Sequence, residues 1–216
     1  MRSRRIPKMK SPVFQKRDFS QVNLKEAFER LQLTRLIPWK LDCSAITPTD
    51  FFWQYLDRLQ CFSLHEGREA KQPFIDAICQ EALLGFTSLK CWKGAVLKNN
   101  DLRGKLQYLF TSKKSGLEPP FLLSIAEAYQ DDFEQGLAQC LVEMQACQWQ
   151  NHQADRDIDV LGIVTNGEGW QFYKSTLTGT VYGTPLYSVG DMDLLLGRLR
   201  HIFERCEQNL LQDITP

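Results

Sequence analysis

Net charge is the first thing this chain lacks. Its 26 lysines and arginines are balanced by 26 aspartates and glutamates. The chain as a whole therefore offers no electrostatic attraction to nucleic acid, and any basic surface must be local. Long apolar runs are missing too: none approaches the length of a membrane-spanning helix. The basic start is not followed by the apolar stretch of a secretory signal. The three histidines, His65, His152 and His201, lie far apart without metal-ligand spacing. The seven cysteines are odd in number, include no C-x-x-C and fall in several cases on apolar helical faces. They are expected to be buried, reduced thiols of a cytoplasmic protein, in preference to a zinc site or disulfide framework. There is no G-x-S-x-G, phosphate-binding loop or H-E-x-x-H. The segment from Thr165 to Gly169 joins two strands and reads as a turn. No internal repeat or low-complexity segment occurs.

What is present fits one domain of ordinary size, since 216 residues with 43% apolar side chains can bury a sizeable core. Residues 1–18 read as a basic, flexible tail carrying Arg4, Arg5, Lys8 and Lys10, with Asp18 the only acid. Pro7 and Pro12 oppose regular structure there. Such a tail is either a solvated terminus or an anchor for nucleic acid or an acidic partner. Residues 19–62 read as a helical extension packed on the core. Asn23 caps a short helix, Pro38 breaks an extended segment, and Pro48 occupies the first turn of a second helix. The aromatics Phe51, Phe52, Trp53 and Tyr55 are expected to pack onto the main domain; the rival reading is a base-stacking platform.

Residues 63–216 read as the core. A helix ending at Gly85 leads into strand material around Gly94 and a strand from about Arg103 to Thr111. The central stretch, from Gly104 to Asn151, reads as a half-buried strand, a Pro-Pro break, a fully buried strand FLLSIAEA and a long helix. Phe133, Leu137, Cys140, Leu141, Met144 and Cys147 form the apolar stripe of that helix. Glu127 falls at the end of the central strand, beside Gln107 and Tyr108, where a site would be built. The order helix, three strands, helix, two strands, helix predicts an α/β sandwich around a mixed sheet. A buried strand near Asp157–Thr165, a turn at Asn166-Gly167 and a final amphipathic helix from about Asp191 complete it.

Gly104-Lys-Leu-Gln-Tyr, then Glu127-Ala-Tyr-Gln-Asp-Asp-Phe-Glu-Gln-Gly, then Gln139-Cys-Leu-Val-Glu-Met-Gln-Ala resemble the core of PD-(D/E)XK nucleases. The similarity is to the bacterial branch related to the nuclease domains of type I restriction enzymes, and it spans about Glu66 to Tyr173. It implies a restriction-endonuclease-like sandwich, a central mixed sheet flanked by helices, with the helical extension added. It also implies a magnesium-dependent site with an acid on one strand and a Glu-x-Lys on the next. Glu127 fills one acidic position and is the metal ligand if there is one. Gln107 stands in place of the other acid, and Tyr129 in place of the lysine. Glu69 and Glu81 are candidate helical acids, with Glu81 matching the family by position; the bland role for each is a solvated helical carboxylate. Gln130, Gln135 and Gln139 flank the site. A neutral amide is a poor ligand for a hard cation, and a phenol is a poor base near neutrality. The expectation is therefore a degenerate site needing no cofactor, which binds nucleic acid or another protein. Nucleic acid would be reached through the basic tail and Lys113 and Lys114, and a protein through the aromatic N-terminal helices. The rivals are a working nuclease with relocated ligands, for which Asp131, Asp132 and Glu81 are available, and a purely structural subunit.

Overall fold

In the computed structural model, residues 16–62 and 68–212 are described, with side chains for all but residues 68–70 and 212. The chain runs through strand β1 (Arg17–Asp18), helix α1 (Leu24–Arg30), strand β2 (Ile37–Pro38) and helices α2 (Asp50–Leu59) and α3 (Arg68–Ala82). Strands β3 (Leu89–Lys93), β4 (Val96–Lys98), β5 (Leu102–Lys105), β6 (Tyr108–Ser112) and β7 (Phe121–Glu127) follow. Helix α4 (Phe133–Gln153) leads to β8 (Val160–Thr165), β9 (Gly169–Ser175), β10 (Val181–Gly183), β11 (Tyr187–Ser188) and helix α5 (Met192–Gln212).

The main sheet has the order β2-β10-β9-β8-β7-β6-β3, with β11 also on β9. Strands β7 and β8 are parallel and joined through α4, while β6 and β9 flank them antiparallel. Helices cover both faces, which is why FLLSIAE on β7 is buried at every position. Leu123, Ile125, Leu161 and Ile163 meet Ile75 and Ile78 of α3 and Leu199 and Phe203 of α5. Ala126, Val160 and Val164 belong to a second core with Cys140 and Met144 of α4. That helix lies close against β8 because of Gly162: a Cβ there would stand 2.5 Å from Cys140 Sγ and 2.6 Å from Met144 Sδ.

The expected strand Arg103–Thr111 is two strands in different sheets. The hairpin leaves the main sheet after β3 and returns to it at β6. In between, β4 and β5 join β1 in a three-stranded sheet of order β1-β5-β4. Gly94, at φ +68°, makes one side of this bend. Its N–H donates to the carbonyl of Gln107 at 3.2 Å, and Leu106 N–H donates to Ala95 at 2.8 Å. Beyond the bend, β6 is covered on both faces rather than half-buried. The small sheet closes over α4, so the helix buries Ala138, Val142 and Ala146 as well as Cys140, Leu141, Met144 and Cys147 of its expected stripe, while Phe133 and Leu137 are half-buried. Phe19, Val22, Ala27, Leu97 and Leu102 supply that outer cover.

Other boundaries shift. Arg17 and Asp18, assigned to the tail, pair in parallel with Leu102 and Arg103, and Arg17 bridges Glu26 at 2.8 Å. Arg4, Arg5, Lys8 and Lys10 lie outside the described residues. Pro48 precedes the N-cap of α2. The cap itself is Thr49, whose hydroxyl accepts from Phe52 N–H at 3.2 Å. Of the α2 aromatics only Phe52 is buried, and Phe51 is 71% exposed. All seven cysteines are free, and four are buried, but Cys61 is exposed. Burial pushes the Cys91 thiol up to about 12. No helix among the described residues is long and apolar enough to cross a membrane.

Candidate functional site

Gln107 occupies the corner where the hairpin passes from one sheet to the other, and Glu127 ends the neighbouring strand β7. Their side chains meet: Gln107 Nε2 donates to Glu127 Oε2 at 2.8 Å. Behind them, Gln72 of α3 donates from Nε2 to Gln107 Oε1 at 3.1 Å. Three elements thus deliver a chain of contacts, Gln72–Gln107–Glu127, to a carboxylate residue that is only 7% exposed. The resemblance did not single out Gln72. Its signal was helical spacing: it stands three residues before Ile75 on the face that α3 turns to the sheet.

Two cavities open on either side of this chain. One of about 470 Å³ is lined by Gln72, Lys93, Lys105, Gln107 and Gln139. The other, about 410 Å³, is lined by Glu127, Tyr129, Gln130, Asp132, Gln135 and Gln139. Ser20 and Gln139 border both. A larger apolar groove of about 840 Å³, between Trp39, Phe133 and Tyr187, shares no residue with either.

The flanking residues have definite partners. Gln130 and Asp131 take left-handed φ values of 50° and 63° as the chain turns off the strand. Tyr129 stands 53% exposed on the rim of this turn. A hydrogen bond from Asn166 and the charge of Lys71, 3.6 Å away, hold the Asp131 carboxyl below its ordinary value. Asp132 caps α4 by accepting from Gln135 N–H at 2.9 Å. Gln135 Nε2 donates at 3.0 Å to the carbonyls of both Ser20 and Val22, pinning the N-terminal segment. Gln139 Nε2 donates to the buried Glu143 Oε1 at 2.7 Å. On the lysine side, Lys93 Nζ lies 2.6 Å from Asp76, which also accepts from Tyr108 OH at 2.8 Å. Burial, and then this hydrogen bond, push the Tyr108 phenol well up.

Three expected residues are not brought here. Glu81 lies nine positions along α3 from Gln72, about 13 Å by helical rise. It accepts instead from Thr49 N–H at 2.6 Å and Thr49 Oγ1 at 3.1 Å, tying α3 to the start of α2. Lys113 and Lys114 are exposed in the turn after β6, at the opposite end of that strand from Gln107. The strand's five residues separate them from Gln107 by about 17 Å. The Glu69 side chain lies outside those described.

Chemically, this is a buried carboxylate among neutral amides. A magnesium ion takes hard oxygen ligands and near-octahedral geometry, with carboxylates carrying the charge. Among the described residues, the groups around Glu127 are mostly committed amide donors, and Asp131 and Asp132 hold a turn and a helix cap. No protein-family model matches the chain, and no curated protein matches it.

Proposed function

We propose that this chain is a nuclease-like domain whose site has exchanged charge for amide, and that it acts by binding nucleic acid without cutting it. The order α3, β3, β6, β7, α4, β8 supports the finer fold assignment, a restriction-endonuclease-like sandwich. So does the meeting of Gln107 and Glu127 at one corner of the sheet. The observation that carries the loss of catalysis is the 2.8 Å hydrogen bond from Gln107 to Glu127, backed by Gln72. An amide N–H already occupies an oxygen that a metal would need. At the lysine position, Tyr129 brings no positive charge, and the absence of a positioned acid–base group typically costs about a hundredfold to ten-thousandfold in rate.

The test is cleavage of supercoiled plasmid with magnesium or manganese. The unmodified protein is expected to leave it intact. Gln107→Asp combined with Tyr129→Lys is expected to create manganese binding measurable by calorimetry, and the exposure of Tyr129 makes that change tolerable for packing. Metal-dependent cleavage by the unmodified protein, abolished by Glu127→Ala, would overturn the proposal in favour of a working nuclease. A well-folded double variant that binds no metal would show that the family positions have been placed on the wrong residues.

A further inference from the structure

Charge in this chain is balanced in total but not in space. Between Lys90 and Lys105 there are five cations, Lys90, Lys93, Lys98, Arg103 and Lys105, against one acid, Asp101. Asp101 is already neutralised by Arg30 at 2.6 Å, and Lys93 by Asp76. Lys98, Arg103 and Lys105 have no ion-pair partner among the described residues.

The strand register sets these three on one surface. Lys98 pairs with Arg103 and Val96 with Lys105 across β4 and β5. All four are exposed, while Leu97, Leu102 and Gly104 point the other way, into the core. Like charges directly opposite each other on a sheet are destabilising. Lys16 adds a fourth cation at the hairpin tip, where its ammonium reaches the carbonyl of Asn99. One acid shares the face, Asp18, which lies beside Arg103 in the register. Its carboxylate is engaged by Ser20 N–H at 3.0 Å and Ser20 Oγ at 2.6 Å.

We propose that the outer face of the β4–β5 hairpin, carried by Lys98, Arg103 and Lys105, is a track for the phosphate backbone of a nucleic-acid duplex lying along the rim of the Gln107 cleft. Arg103 and Lys105 are two residues apart on one strand, about 7 Å, a spacing close to that of consecutive phosphates. Lys105 also lines the cleft that holds Gln107, so a bound backbone passes directly over the candidate site. The chemistry separates this occupant from a protein or a membrane. Protein interfaces centre on aromatic and apolar side chains and are depleted in lysine, and surface-seeking elements carry an apolar face to insert. Val96 is the one apolar residue of the four on this face. Phosphate contacts, by contrast, are made by lysine and arginine.

The inference rests on the binding function proposed above for its choice of partner, and the experiment separates the two. Binding of a labelled mixed-sequence DNA duplex is measured from about 50 to 200 mM salt. It compares the full chain, Lys98→Glu/Arg103→Glu/Lys105→Glu, and Lys113→Glu/Lys114→Glu. The three hairpin positions are solvent-exposed, so circular dichroism and melting should be unchanged. The expected result is a loss of about tenfold or more for the hairpin variant, with a log–log salt slope shallower by about 3. Lys113→Glu/Lys114→Glu is expected to bind nearly as well as the full chain. Unchanged binding by the hairpin variant, with the full chain binding in a salt-dependent way, overturns the track and leaves the binding function standing. Failure of the full chain to bind at low salt overturns both.

Discussion

Gln107 is the side chain on which the candidate site turns, because both ends of its amide are used. Its N–H satisfies Glu127, and its carbonyl accepts from Gln72. Gln107→Ala takes one partner from each neighbour in a largely buried place, and such a loss costs about 1–3 kcal/mol. Chemical denaturation should show that drop. Gln107→Glu tests the electrostatics. Two carboxylates in contact raise the proton affinity of the pair above that of the unfolded chain. The folded variant then binds more protons than the unfolded one. Its deficit relative to the parent should be largest at neutral pH and shrink as pH falls toward the ordinary carboxylate range near 4.3. A deficit independent of pH would mean that the two groups are not in contact in solution.

At the scale of elements, α4 is held at both ends by side chains that imitate backbone. Asp132 caps its start. Near its end the fully buried Asn151 donates to Phe121 O at 2.8 Å and accepts from Phe121 N–H at 2.7 Å, as a neighbouring strand would. Asn151→Leu preserves bulk and apolar character but leaves two buried backbone groups unpaired, a cost of about 2–5 kcal/mol. A melting temperature within a degree of the parent would refute that account. Much of the architecture was legible from local pattern. FLLSIAE announced a two-sided strand, Asn23 a cap, and Asn166-Gly167 a turn between β8 and β9. The bend at Leu106–Gln107 was not legible, because LRGKLQYLF alternates well enough to be one strand. What divides it is tertiary: the positive φ of Gly94 on the partner strand and the docking of β1 on β5. Glu81 misled for a related reason. The resemblance implies an acid at its position, but whether a helical carboxylate meets the site or a neighbouring cap depends on where α2 lands. Gln72 was passed over because the family pattern looks for charge, and the site here is made of amides.

At the scale of the whole molecule, the N-terminal segment works as a clamp. β1 joins the small sheet, β2 adds the last strand at one edge of the main sheet, and Gln135 holds the carbonyls between them. Removing residues 1–18 breaks the β1–β5 pairing and the solvent-exposed Arg17–Glu26 bridge, for an expected fall of about 2–6 °C in melting temperature. Removing residues 1–22 also takes away Phe19 and Val22, which are 1% and 0% exposed. Each contributes about 1.5–3 kcal/mol of burial, so this truncation should fall by about 10 °C or more. Melting points for both truncations equal to that of the full chain, by calorimetry, would show that the clamp carries no stability. The clamp also has a consequence in time. Ile37 pairs with Tyr182, and a ribosome adding about 5–20 residues per second delivers that partner only after on the order of ten seconds. Until then the edge strand β2 has no partner, whereas β1 can already meet β5. Phe19 and Val22 find their cover sooner, once Leu97, Leu102 and α4 have been made, so the two halves of the clamp close at different moments of synthesis.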